Sequence, residues 1–207
     1  MKAADMERYL AESDIIDWKH PDILSLAAAL SAGCRPASEI AGRCFEWVRD
    51  NVRHSWDYQL NPVTCTASDV LRHRTGYCYA KSHLLAALLR ACGIPAGFCY
   101  QRLSLDGSGA PYCLHGLNAV FLPEHGWYRI DPRGNRAGID ARFTPPVERL
   151  AFSTDDSLEA DLPEIWPQPL DCVVSVLRRH DDYRDVYANL PDVELVRTIS
   201  VRPCAAR

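Results

Sequence analysis

Apolar residues recur with helical spacing in the first half of the chain and with strand-like spacing through the middle. Ile23, Leu24, Leu26, Ala27 and Leu30 fit one face of a helix that begins after Pro21 and stops at Gly33. A second helix is predicted after Arg35-Pro36-Ala37-Ser38, with Ser38 as its candidate cap and Ile40, Cys44, Phe45, Trp47, Val48 and Val52 inward. Residues 53–66 mix aromatic and amide side chains without a period and read as irregular. Thr66-Ala67-Ser68-Asp69 offers caps for a short helix carrying Val70 and Leu71, which Thr75-Gly76 breaks.

The clearest element starts at Cys78. Leu84, Leu85, Leu88, Leu89 and Cys92 form a core-facing stripe. Cys78 lies about two turns before Leu85, on the same stripe, so its side chain points inward. Gly93-Ile94-Pro95 ends this helix, and the period then changes. Residues 96–103, 114–122 and 127–131 read as three strands joined by Asp106-Gly107-Ser108-Gly109 and by the tight turn Pro123-Glu124-His125-Gly126. Short links between neighbouring strands imply an antiparallel meander. The fold class is therefore α+β, a helical first half packed on an antiparallel sheet. Beyond it, 153–169 reads as an acidic, proline-containing surface crossing. A helix at 170–179 carries Val173, Val174 and Leu177 inward, and Asp181-Asp182-Tyr183-Arg184-Asp185 opens a further short helix.

Size and composition narrow the function classes. A chain of 207 residues suits one domain, 1–207, with a core at about 40–135, N-terminal helices over 1–39 and an arm over 136–207. A formal charge of −4 with scattered basic residues gives no nucleic-acid footprint. No segment approaches the roughly 20 apolar residues of a membrane span. Met1-Lys2-Ala3-Ala4-Asp5-Met6-Glu7 is polar and acidic, unlike a secretory signal, so a cytoplasmic location is expected. The nine cysteines contain no Cys-x-x-Cys pair, which argues against a zinc ribbon or a thioredoxin motif. Cys92, Cys99 and Cys172 stand in apolar runs and read as small buried hydrophobes.

Cys78 differs because it sits where a turn becomes a helix. The unsatisfied N–H groups and partial positive charge at a helix start both favour a thiolate. Cysteine catalysis further needs an imidazole to share the proton and a group to fix its tautomer. His115 opens one strand and Asp131 closes the next. About nine residues separate His115 from the turn and about six separate the turn from Asp131, so the hairpin can bring them roughly level. His83 lies about 140° around the helix from Cys78 and faces away. His54, in the irregular segment, is a weaker substrate-contact candidate. Cys78, His115 and Asp131 are all zinc-ligand types, but their spacing matches no usual zinc motif.

Several separate motifs in order resemble the transglutaminase-like superfamily, which has a papain-like arrangement. They are Gly76-Tyr77-Cys78 at the helix start, then Arg90-Ala91-Cys92-Gly93-Ile94-Pro95 at its end. His115 follows on a strand, and then Gly126-Trp127-Tyr128-Arg129-Ile130-Asp131-Pro132. The resemblance covers roughly residues 40–135. It implies Cys78 as nucleophile, His115 as general base and acid, and Asp131 as its orienter. The backbone N–H of Cys78 would supply part of an oxyanion hole. In this family the second donor often comes from an upstream segment, where Tyr58 and Gln59 are the candidates. Two departures bear on substrate class more than on the triad. His115-Gly116-Leu117-Asn118-Ala119 replaces the frequent His-x-Trp-x-Glu, and Arg133 follows Asp131-Pro132 where Thr is more usual.

The expected activity is thiol-dependent acyl transfer from an amide, through a thioester resolved by water or an amine, of peptidase or amidase type. Its partner is a peptide, protein or small amide substrate, and its oligomeric state is left open. No metal or other cofactor is expected, since no acidic loop resembles a calcium site. The competing expectation is a non-catalytic module that binds a peptide or protein in the same cleft.

Overall fold

The computed structural model describes residues 6–154 and 158–195. The reading of residues 1–5 as no secretory signal therefore lies outside the described residues, as do positions 155–157 of the acidic crossing. The elements run α1 (Pro21–Ser31), α2 (Ala37–Asn51), β1 (Arg53–His54), α3 (Ser55–Tyr58), α4 (Ala67–His73), β2 (Thr75–Gly76) and α5 (Cys78–Ala91). They continue with β3 (Ala96–Ser104), β4 (Tyr112–Leu122), β5 (Gly126–Ile130), β6 (Ala160–Asp161), α6 (Asp171–Arg179) and α7 (Tyr183–Ala188). Strands β5, β4, β3 and β6 form one antiparallel sheet in that order, which is the meander expected from the short links plus an edge strand. The architecture is α+β, with the helices packed on the curled sheet.

Helix α5 is at the centre. It packs on α1, α2 and α4 on one side and on β3 and β4 on the other. Every residue from Cys78 to Arg90 is buried. The apolar stripe underestimates this, because Lys81, Ser82, His83 and Arg90 are also enclosed. Each finds backbone partners. Arg90 donates to the carbonyls of Ala11, Ala96 and Pro167, which ties the N-terminal segment, the start of β3 and the chain before α6 to one guanidinium. The ring of His83 meets the Cys65 carbonyl at 2.7 Å, and burial pushes its pKa down to about 4.

Local signals held in most places and failed where tertiary contacts took over. Thr66 caps α4, its hydroxyl accepting from Asp69 N at 3.2 Å. Ser38 does not cap α2; the helix starts two residues earlier than that cap implies, at Ala37 after Pro36, with no side-chain cap. Arg74, in a left-handed conformation at φ 54°, ends α4 before Thr75-Gly76 is reached. Those two residues instead form β2, which pairs in parallel with β1 inside the stretch read as irregular. Val173 and Leu177 of α6 are buried as expected, while Val174 is only half-buried. Cys99 is buried, Cys92 half-buried and Cys172 exposed, so the reading of Cys172 as a core residue is corrected.

Lys81, wholly buried one turn after Cys78, donates Nζ to the carbonyls of Val52 and Arg49 at the C-terminal end of α2. Burial lowers its pKa to about 7, with Arg133 adding to the effect. Below about pH 7 both folded and unfolded chains hold this proton. Between there and about 10.4 only the unfolded chain does. Wild type should therefore gain stability over Lys81→Met as pH rises from about 7 to 9.5, by up to about 1.4 kcal/mol per unit. Urea unfolding of both proteins checks this, and a pH-independent difference would contradict it.

Candidate active site

The start of α5 is fixed by close packing. Gly76 precedes it in β2, and a Cβ there would meet Ala80 Cβ at 2.9 Å and Thr64 Oγ1 at 3.1 Å. Only glycine lets the strand run this close to the first helical turn. Tyr77 is the N-cap residue, with no side-chain cap. The first-turn N–H groups, that of Cys78 among them, carry the positive end of the helix dipole toward the thiol. Cys78 is 7% exposed and lines a cleft of about 720 Å³.

The opposite wall is β4. Gly116 lets it approach α5, since a Cβ there would stand 2.7 Å from the Tyr79 ring. Tyr79, next to Cys78, donates its hydroxyl to the Leu114 carbonyl, next to His115. His115 is thereby held beside the helix start. Its Nε2 donates to Asp131 Oδ2 at 2.7 Å. Asp131 is fully buried and also accepts from Arg133 N at 3.0 Å and Ala151 N at 3.1 Å. The pairing ladder of β4 and β5 ends at Asn118 opposite Ile130, so the two side chains meet just beyond the paired region.

Burial alone would lower the His115 pKa. The Asp131 carboxylate and the Cys78 side chain, through charge and hydrogen bonding, outweigh it and raise the value to about 10. Burial likewise opposes ionisation of Asp131, yet the His115 charge and the hydrogen bonds it accepts hold its pKa below the usual carboxylate value. With Nε2 committed to Asp131, Nδ1 is the ring nitrogen left for Cys78. The structure thus brings Cys78, His115 and Asp131 together.

Tyr58 and Gln59 are placed elsewhere. Tyr58 is 58% exposed beside the Arg53 guanidinium, Gln59 ends α3 in a left-handed turn, and neither lines the cleft. The upstream residues that do line it are His54 and Trp56. His54 packs edge-on against Tyr77. Burial, reinforced by Arg133, Lys81, His115 and Arg136, drives its pKa well below the ordinary histidine value. Arg133, the departure after Asp131-Pro132, grips the Asp57 carboxylate with both terminal nitrogens at 2.6 and 3.0 Å. Phe152 stands edge-on to the His115 ring at 4.9 Å. Among the described residues no group of His, Cys, Asp and Glu is arranged to hold a metal ion.

A family model for the transglutaminase-like superfamily matches residues 24–132, just over half of the chain. The chain belongs to the transglutaminase-like superfamily. A comparison with curated protein sequences gave no match. Among solved structures, a candidate cysteine protease from Cytophaga hutchinsonii aligns at TM-score 0.51 and 20% identity, covering 64% of this chain and 43% of the other. The periplasmic domain of TgpA from Pseudomonas aeruginosa aligns at 0.48 and 23%, covering 64% and 48%. Red sea bream transglutaminase aligns at 0.44 and 11%, covering 56% and 27%. The first of these likenesses speaks to the fold, and the shared part is less than half of each of those structures. No helix among the described residues of this superfamily member is long and apolar enough to cross a membrane.

The His115 contribution to stability has a definite sign. Its folded pKa is raised, so the contribution is complete below about pH 6.5, the unfolded value, and is lost as pH climbs toward about 10. The advantage of wild type over His115→Gln in urea unfolding should shrink from about pH 6.5 to 10, by up to about 1.4 kcal/mol per unit. An advantage that stayed constant or grew would refute the assignment.

Proposed function

We propose that this superfamily member is a cysteine-dependent acyl transferase or hydrolase acting on amides. One observation carries the reading: a buried imidazole is set between the Asp131 carboxylate and a thiol at a helix start, inside a cleft. In this reading His115 Nδ1 takes the thiol proton and Cys78 Sγ attacks the amide carbon. The resulting oxyanion is met by the Cys78 N–H at the positive end of α5. The imidazolium, stabilised by Asp131, passes its proton to the leaving amine, and a thioester remains on Cys78. Water or a second amine, deprotonated by the same ring, resolves it. The raised His115 pKa supports this scheme, since Asp131 and Cys78 favour the imidazolium that forms once the ring has taken the thiol proton. Asp131 acts through His115 and touches no reacting atom.

A non-catalytic binding module would need the cleft but not a dyad buried at the cost of desolvating both charges. Thiol alkylation separates the two readings. At about pH 6.5 iodoacetamide should modify Cys78, mapped by mass spectrometry, faster than the exposed Cys172, although Cys78 is almost enclosed. His115→Ala should slow modification of Cys78 about tenfold or more, because the imidazole that takes the thiol proton is then gone. Modification no faster than at Cys172, or indifferent to His115, sinks the enzyme reading.

A further inference from the structure

The segment 182–192 runs over the cleft from one wall to the other. On the wall of the nucleophile, Asn61 binds it twice, accepting from Tyr183 N at 2.9 Å and donating to Asp182 at 3.1 Å. Tyr77, immediately before Cys78, donates its hydroxyl to the Tyr183 carbonyl at 2.5 Å. Tyr187 stacks on Trp56, ring centroids 3.6 Å apart and planes 7° from parallel. On the sheet wall, the N–H of Leu114, immediately before His115, donates to the Pro191 carbonyl at 2.7 Å. Arg102 grips both oxygens of Asp192 at 2.7 Å. Between these anchors Tyr187 and Leu190 line the cleft, and Val186 is fully buried beneath. The strap therefore joins the backbone neighbours of the two residues proposed to react.

This placement removes what an extended substrate would need. Strand β5 pairs with β4 only as far as Asn118, which leaves the edge of β4 near His115 uncovered by the sheet. An incoming main chain pairing there would depend on the Leu114 N–H, because the Leu114 carbonyl already accepts from Tyr79 and the Gly116 carbonyl from Ser82. Pro191 already occupies the Leu114 N–H at that edge, and Leu190 and Tyr187 occupy the space beside it. Arg136 and Gly138, exposed at the cleft's rim, mark an approach where solvent reaches the site.

We infer that the strap closes one end of the cleft, so that the acyl donor ends inside it. The substrate class is then a side-chain amide, a terminal residue or a small amide, and a polypeptide main chain does not pass through. The inference rests on the proposed function and narrows it away from endopeptidase activity.

Two peptides of equal length test it. One carries an epoxysuccinyl group at its end and the other carries the same group within its main chain, and modification of Cys78 is followed by mass spectrometry. Wild type should react with the end-labelled peptide about tenfold or more faster than with the internal one. The double variant Asn61→Ala/Asp192→Ala, which loosens both anchors, should narrow that gap by accelerating the internal probe, with iodoacetamide labelling unchanged. The wild-type comparison needs no variant, and circular dichroism shows whether the double variant is folded. Equal rates for the two probes on wild type, or a gap unaltered in a folded double variant, overturn the strap while leaving the proposed chemistry intact. Slow iodoacetamide labelling of Cys78 overturns the proposed function, and the strap's role with it.

Discussion

The complete enclosure of α5 is the constraint on which the remainder of the structure depends. A helix buried on every face has its position fixed by contacts from all directions, and its charged side chains must find partners or not form. Arg90 at one end and Lys81 near the other resolve this by binding backbone carbonyls from distant segments. The same contacts that satisfy those charges hold α2, β3 and the chain before α6 around the helix. Cys78 inherits a rigid address, because nothing at the helix start can move without disturbing several packed elements at once. Rigid placement matters for a nucleophile, since small displacements of reacting atoms cost rate steeply.

The second requirement is that β4 come close enough for His115 to reach that address. Gly116 meets it by having no side chain, and Tyr79 secures it with a hydrogen bond beside His115. A bulky residue directly after His115 would collide with Tyr79 on α5. The family departure at Arg133 has a role as well. Arg133 bonds to Asp131 through its backbone N–H and to Asp57 through its guanidinium, so it links the dyad to α3 across the cleft floor.

The sequence revealed whatever is encoded locally or by a repeated spacing. The meander, the helix from Cys78 and the proximity of His115 to Asp131 followed from periodicity and loop length. The buried polar side of α5 did not, because Lys81 and His83 look like a solvated face until the carbonyls that receive them are known. The two-residue pairing of β1 with β2 is too short to leave a pattern, and it carries His54 to the cleft. Tyr58 and Gln59 were sought in the right stretch, but the α3 turn directs Trp56 to the cleft instead. Phe152, Tyr187 and Leu190 belong to no motif and arrive from far along the chain, so only the folded structure reveals them.

One of those late arrivals separates the family's signature from its working unit. The recognised region ends at Pro132, yet Asp131 takes a hydrogen bond from Ala151, and His115 leans on Phe152. A gene fragment trimmed to the recognisable motifs would retain all three signature residues and still leave the carboxylate short of a donor and the imidazole short of a wall. The smallest inheritable piece that preserves this constellation extends at least through Phe152, so dissection, fusion or domain grafting guided by the motifs alone would cut through the site.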